Sequence, residues 1–396
     1  MAKINPNFKK LPQNYLFSEI KKKKQEYLKK HPKAEIYDLS IGDTTQPIVP
    51  SVIEGLKRGV EKLAKRKTYT GYGQTEGNIK LRKAISKFYQ KRGVKISPSE
   101  IFISDGAKTD CANISSLFSP KSKIAICDPV YPVYRDANLF WGKKIIYLPA
   151  TKENSFLPKV PKQKVDLIFL CSPNNPTGAV MTKSHLRDFI KYAIENKAII
   201  IFDAAYSEFI QDKNLPKSIY QIEGAKKCAI EIQSFSKSAG FTGVRLGWTI
   251  VPNELETEDV FEKGKINSLW QKRQSIMFNG ASNISQEGGL AVLSSKGQRE
   301  TKKQIKYYLE NAKIIKDGLR SLKLEVFGGE NSPYLWVKCP KNLTSWQFFK
   351  ELLEKANVIC VPGEGFGKYG KNYVRFSAFA LREKIKKAIR NIRENL

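Results

Sequence analysis

Five short apolar runs follow one another between about residues 100 and 250. They are Ile101-Phe102-Ile103, Ile124-Ala125-Ile126-Cys127, Leu167-Ile168-Phe169-Leu170, Ile199-Ile200-Ile201-Phe202 and Ala229-Ile230-Glu231-Ile232. Short apolar runs of this kind fit strands buried on both faces. Helix-length segments, such as 107–118 and 183–195, lie between several of them. Buried strands alternating with helices mean an α/β fold with a mainly parallel central sheet.

The character of the chain changes after about residue 252. Residues 254–275 and 281–323 are expected as long helices. Strands are expected at Leu324–Phe327, Tyr334–Val337, Val358–Val361 and Tyr373–Phe376, with a helix near 344–356 and an amphipathic helix over Lys384–Asn395. The expected organisation is therefore an arm (1–45) carrying one amphipathic helix near Tyr15–Lys30 and packing with the small domain, a large domain (46–290), and a smaller C-terminal α+β domain (291–396).

At 396 residues with 41% hydrophobic content, the chain is long enough for such an arrangement. Its net charge is +31. The basic residues are spread along the whole chain and no nucleic-acid-binding motif accompanies them, so the charge fits a solvated, lysine-rich surface and argues against a nucleic-acid partner. The six cysteines include no C-x-x-C pair and several fall in apolar runs. They are expected as reduced core thiols of a cytoplasmic protein. With only two histidines, a histidine-based metal site is not expected. Neither a signal peptide nor a membrane-spanning run is evident.

Ligands of open parallel sheets bind at the carboxyl ends of the strands. Chemically distinctive residues follow five of the apolar runs: Ser104 to Lys108, Asp128 to Pro132, Ser172-Pro173-Asn174-Asn175-Pro176-Thr177-Gly178, Asp203 to Tyr206, and Ser234-Phe235-Ser236-Lys237. The last is the most telling. A deprotonated lysine amine condenses with an aldehyde, and Ser234, Ser236 and Arg245 are suited to a phosphate dianion. The combination points to pyridoxal phosphate.

The other residues then take roles. A carboxylate held in a dry pocket keeps a pyridine nitrogen protonated, and Asp203 is placed for it, although an aspartate at a strand end also caps turns. Asn175 and Tyr206 are donors for the cofactor's phenolic oxygen. Tyr131 offers a flat face for stacking, with core packing as its alternative. Ala107 and Lys108 open a helix whose free N–H groups favour a phosphate. Arg375, in an apolar strand, suits a substrate carboxylate or a buried ion pair.

Together, and in this order along the chain, these residues resemble the fold-type-I pyridoxal phosphate enzymes, specifically the class I/II aminotransferases. Within them the chain is most similar to the LL-diaminopimelate aminotransferase subfamily. That likeness rests on Asn5-Pro6-Asn7-Phe8, Tyr15-Leu16-Phe17, Ile41-Gly42-Asp43-Thr44, Ser104 to Lys108 and Phe278-Asn279-Gly280-Ala281-Ser282.

The resemblance implies a homodimer that exchanges amino groups between LL-2,6-diaminopimelate and 2-oxoglutarate, giving tetrahydrodipicolinate and glutamate. It implies that Tyr15, Gly42 and Lys108 contact substrate, with Lys108 meeting the distal carboxylate of a diacid. It further implies that Tyr131 and Asn175 face substrate as well as cofactor. Tyr72 would reach the phosphate, and Asn279 the cofactor and substrate, across the subunit interface. In this subfamily the loop Gly71 to Gly77 usually carries an acid where Thr75 stands here, one position before Glu76. A broad aspartate or aromatic aminotransferase is the alternative reading, and a catalytically inactive regulator on the same fold a more distant one.

Overall fold

The structure is a computed structural model and describes residues 2–12, 16–257, 259 and 264–396. The N-terminal segment forms a helix over Leu16–Lys30 and a short strand, β1 (Tyr37–Asp38). The central sheet then contains β2 (Ile101–Ser104), β3 (Lys123–Asp128), β4 (Lys144–Pro149), β5 (Leu167–Cys171), β6 (Ile199–Asp203), β7 (Ala229–Ser234) and β8 (Gly247–Ile250). Their order is β2-β8-β7-β6-β5-β3-β4. Neighbours from β7 across to β4 run parallel, while β8 is antiparallel to both β7 and β2. The sheet is thus mainly parallel, as the apolar runs required.

Two of its strands do not announce themselves in the sequence. β4 is an edge strand whose residues are mostly half-buried or exposed, so it has no continuous apolar run. β8 begins at Gly247 and includes Thr249. Thr249 is fully buried because its hydroxyl donates to Asp110 at 2.5 Å.

The second half of the chain forms a four-stranded antiparallel sheet. Its strands are β9 (Val326–Gly328), β10 (Tyr334–Lys338), β12 (Val361–Pro362) and β13 (Tyr373–Ser377), in the order β12-β13-β10-β9. β11 (Val358–Ile359) pairs in parallel with β1. Leu16, Ile20, Tyr37 and Leu39 consequently share one apolar cluster with Trp336, Phe376 and Ile392.

Two expected helices are corrected. The one placed at 254–275 runs from Lys265 to Met277. Leu255 closes a turn onto Pro252 instead, and Gly264 with φ +76° precedes the helix. The helix expected at 281–323 is two, Asn283–Leu293 and Ser295–Arg320. Ser294 is extended (ψ 157°), and its hydroxyl caps the second helix by accepting from Gly297 N at 3.0 Å. The second helix spans two cores. Its Ile305 and Tyr308 pack with the central sheet, while Ala312, Ile315 and Leu319 pack with the C-terminal one. Among the described residues no helix is long and apolar enough to cross a membrane.

The parallel strands carry the chain out through β3 to β4 and back to β5, beside β3. The order reverses there, which opens a crevice above the carboxyl ends of β3 and β5. The loop 71–77 is fastened to the sheet: Ile103 N donates to Glu76 O at 2.9 Å, and Gly77 N to Gln74 O at 2.8 Å. Gly77 has φ +93°, and a Cβ there would lie 2.3 Å from Ile103 Cγ1. Gly77→Ala is therefore expected to destabilise the fold by about 2–3 kcal/mol in urea denaturation. A loss under about 0.5 kcal/mol, the scale of an ordinary surface substitution, would contradict this account.

Candidate active site

A cavity of about 420 Å³ opens over the carboxyl ends of β5, β6 and β7. Each of these strands ends in a buried polar or sulfur side chain facing it: Cys171, Asp203 and Ser234. Of the residues singled out in the sequence, it brings together Gly42, Ala107, Lys108, Tyr131, Asn175, Asp203, Tyr206, Ser234, Ser236, Lys237, Arg245 and Arg375. Tyr72 (89% exposed) and Asn279, also exposed, stand on the surface away from it. Tyr15 lies outside the described residues.

At the floor, Asp203 is buried and its neighbours are neutral. Tyr134 donates its hydroxyl to Asp203 Oδ2 at 2.6 Å, Cys111 its thiol to the same oxygen at 3.6 Å, and Ala205 N–H to Oδ1 at 2.9 Å. Oδ1 thus caps the turn leading to Tyr206, while Oδ2 takes the Tyr134 and Cys111 donors. Burial raises the carboxyl pKa, and the hydrogen bonds from Tyr134, Ala205 and Cys111 oppose that rise. A buried carboxylate supplied only with neutral donors remains short of a cation.

Lys237 leads the opposite wall. It sits in the short helix Phe235–Ser238, and its amine donates to Gly42 O. Burial lowers its pKa to about 8, with Arg375 and Arg245 adding to the effect and Asp43 opposing it. The amine is still mostly protonated at neutral pH, but its free share is far larger than that of an exposed lysine, and the free form is the one that condenses with a carbonyl.

The phosphate-suited end is compact. Ser234 Oγ donates to Ser236 Oγ at 2.9 Å and accepts from Ser236 N at 3.0 Å. Arg245 holds φ +65°, an uncommon conformation for a side-chain-bearing residue. Its guanidinium lies against Gly106, where a Cβ would come within 2.6 Å of Nη2. Only a glycine admits the arginine to the start of the helix Ala107–Asn113.

Arg375 is 1% exposed. Nη1 donates to Asn175 Oδ1 and Nη2 to Ser40 O, each at 2.8 Å. Because arginine only donates, Asn175 must turn its oxygen toward it, which aims its amide hydrogens elsewhere. The guanidinium carbon sits 4.3 Å from the Tyr334 ring centroid and 5.2 Å from that of Phe366. No acid pairs with Arg375 among the described residues, so the alternative of a buried ion pair does not apply. Each Nη still has a second hydrogen to offer a carboxylate.

Tyr134, Cys111, Tyr334, Phe17, Asp43 and Thr242, none of them given a site role from the sequence, are also at this site. Tyr134 had a usable signal, one helical turn after Tyr131. Tyr334, whose hydroxyl meets that of Tyr206 at 2.9 Å, had none: it opens an apolar strand far away in the sequence.

The family model of class I and II aminotransferases matches residues 34–392. The chain belongs to that family. It is 46% identical to the LL-diaminopimelate aminotransferase of Parabacteroides distasonis, over 100% of this chain and 99% of the relative. It is 48% identical to the enzyme of the same name from Lachnospira eligens, over 99% of this chain and 100% of that one. Among solved structures, the L,L-diaminopimelate aminotransferase of Chlamydomonas reinhardtii superposes with a TM-score of 0.93 at 41% identity, covering 99% of this chain and 98% of that one. The aspartate aminotransferase of Thermus thermophilus, at 19% identity and a TM-score of 0.86, shares the fold.

Class I and II aminotransferases work with pyridoxal phosphate, and the residues at this site fit that group. Asp203 is a buried carboxylate short of a cation, Lys237 a buried amine lowered to about 8, and Ser234, Ser236 and Arg245 a set of anion donors. The buried amine also has a consequence for stability. Its pKa in the unfolded chain is the higher, so the native state pays in full below pH 8 and not at all above about 10.5. Lys237→Ala should therefore stabilise the cofactor-free chain at pH 7 by about 1–3 kcal/mol, a gain that fades between pH 8 and about 10.5. Denaturant titrations at several pH values check this; a pH-independent difference would refute it.

Proposed function

We propose that this chain is a pyridoxal phosphate-dependent transaminase acting on LL-2,6-diaminopimelate and 2-oxoglutarate, forming tetrahydrodipicolinate and glutamate or running in the reverse, biosynthetic direction. Its products would serve lysine and peptidoglycan synthesis. The observation that carries the reading is the convergence of Lys237, Asp203 and Arg375 on one cavity, in a chain 46% identical over its whole length to a protein of that activity.

The cofactor supplies an electron sink for the bond broken at the substrate α-carbon. Asp203 would hold the ring nitrogen protonated. Tyr206, kept as a phenol because burial and then Tyr334 push its pKa well up, would donate to the ring oxygen with Asn175. Tyr131 would stack on the ring. Ser234, Ser236, Arg245 and the N–H groups of Ala107 and Lys108 would bind the phosphate. Arg375 would clamp the α-carboxylate, fixing the α-proton within reach of Lys237. Lys237 Nζ would take that proton as general base and return it as general acid. Lys108, exposed at the mouth, would meet the distal carboxylate, and Gly42 and Tyr15 would complete the substrate wall.

We further infer a cytoplasmic homodimer, with an arm (1–45), a large domain (46–290) and a small domain (291–396) in each subunit. Tyr69, Tyr72, Ile276 and Met277 are exposed near one another, where Asn283 Nδ2 donates to Thr70 Oγ1 and to Gly71 O, each at 3.0 Å. An apolar surface of this kind suits a partner subunit, whose site Tyr72 and Asn279 would complete. The six cysteines are free and buried, in keeping with a reducing compartment.

One observation favours a second reading, a broader range of amino donors. Glu76 cannot take up the place of Thr75 cheaply, because its backbone is fastened to β2 and its carboxylate accepts from Gln271.

Glutamate formation from 2-oxoglutarate, with diaminopimelate compared against aspartate, tyrosine and lysine as donors, tests the assignment. Diaminopimelate should lead by a wide margin; comparable turnover of aspartate would sink it. Lys237→Ala should lower turnover by about a thousandfold or more, and a visible absorbance band should be lost on borohydride reduction with the cofactor fixed to Lys237. Lys108→Ala should cost about 10–100-fold in kcat/KM for diaminopimelate and far less for a monocarboxylic donor. Equal losses would remove Lys108 from the distal carboxylate.

A further inference from the structure

A second cavity, of about 560 Å³, lies apart from the first, bounded by the segment 208–221, the loop after the helix Ile79–Gln90 and the helix Ser295–Arg320. Five of its lining side chains are basic, against the two acids Glu208 and Asp212. Three of the cations stand out. Arg92 stacks on Phe88, 4.0 Å from the ring centroid, and gives Nη2 to Glu208, while its Nη1 is buried with no partner among the described residues. Neither Lys217 nor Lys302 forms an ion pair within 4 Å among the described residues.

A buried guanidinium nitrogen without an acceptor is costly, and chain folding alone gives no reason to keep it so. Like charges gathered at one concavity add repulsion. Burial lowers the Lys217 pKa, Glu208 opposes that, and Arg92 and Lys302 add to it. An oxyanion of charge two or more would relieve that repulsion through charge-assisted bonds from the cavity's cations.

We propose that this cavity binds a small multivalent oxyanion, with Lys217 and Lys302 as its donors and the Arg92 guanidinium as a third positive charge at its wall. The site does not open into the catalytic one, but a third cavity between them touches both. This narrow cavity shares Glu208, Lys302 and Ile305 with the proposed site and reaches Ser234, Phe235 and Ser238, on the far side of the segment bearing Lys237. Glu208 itself follows Tyr206 by two residues, and Ser207 Oγ accepts from Gln233 Nε2 at 3.0 Å. An anion drawn in here would press on the same two turns that present Tyr206 and Lys237.

The test is thermal melting of the cofactor-loaded enzyme against inorganic pyrophosphate and, separately, citrate at constant ionic strength. These two arms distinguish a phosphate from a polycarboxylate ligand. At least one should give a saturable rise in Tm. In Lys217→Gln/Lys302→Gln, with its amino-transfer rate and anion-free Tm retained as evidence of folding, the apparent affinity should fall by about tenfold or more. No saturable shift with either anion overturns the proposal. So does a shift of equal affinity in the double variant, which places the anion elsewhere. If the double variant does not fold, Lys302→Gln alone serves, with about a threefold or greater weakening expected and an unchanged affinity overturning the site.

Discussion

A guanidinium closed off from water sits where three parts of the chain meet. Arg375 belongs to β13, yet its hydrogen bonds run to Asn175, on the loop after β5, and to the Ser40 carbonyl, in the N-terminal segment. Aromatic rings cover it, Tyr334 and Phe366 among them. Leaving such a charge unpaired would cost several kcal/mol, so arm, central sheet and C-terminal sheet are held in one arrangement by the need to solvate it. The same need makes the site receptive to a carboxylate. Structure and recognition draw on one group.

The opposite deficit lies at the floor. Asp203 is a carboxylate surrounded by phenol, thiol and amide donors, with no cation paired to it among the described residues, and Lys237 is an amine whose charge burial disfavours. Each is an unfavourable placement for a chain that only had to fold. Their common cavity would turn both into affinity under the proposed function, because a ligand with a protonatable ring nitrogen and an aldehyde would relieve each where it stands. The strained Arg245 backbone and the glycine beside it belong to the same pattern.

Much of this was legible in the sequence because parallel strands advertise themselves. Strands buried on both faces are nearly unbroken apolar runs, and the rule that ligands sit at their carboxyl ends converts each run into a pointer. Asp203, Ser234 and Lys237 were found in that way. β4 and β8 were not, since an edge strand has no continuous run and Thr249 is buried only by virtue of Asp110. The break at Ser294 carries a sequence signal, a serine that caps the second helix within an otherwise helical stretch. Tyr334 and Phe17 reach the site by tertiary packing from distant segments, for which no local pattern exists. Tyr72 and Asn279 are exposed and lie outside the cavity, so their proposed roles rest on the family resemblance alone.

The helix Ser295–Arg320 sends its first half into one core and its second half into the other, and β1 pairs with a strand more than three hundred residues downstream. The order of synthesis therefore runs against the order of assembly. During translation the strands of the central sheet emerge in succession, but Leu16, Ile20 and Tyr37 must wait for Val358, Phe376 and Ile392 before they have anything to pack against. Until those later segments have been synthesised, this early apolar surface lacks most of its cover, a long interval in which it is open to chaperones.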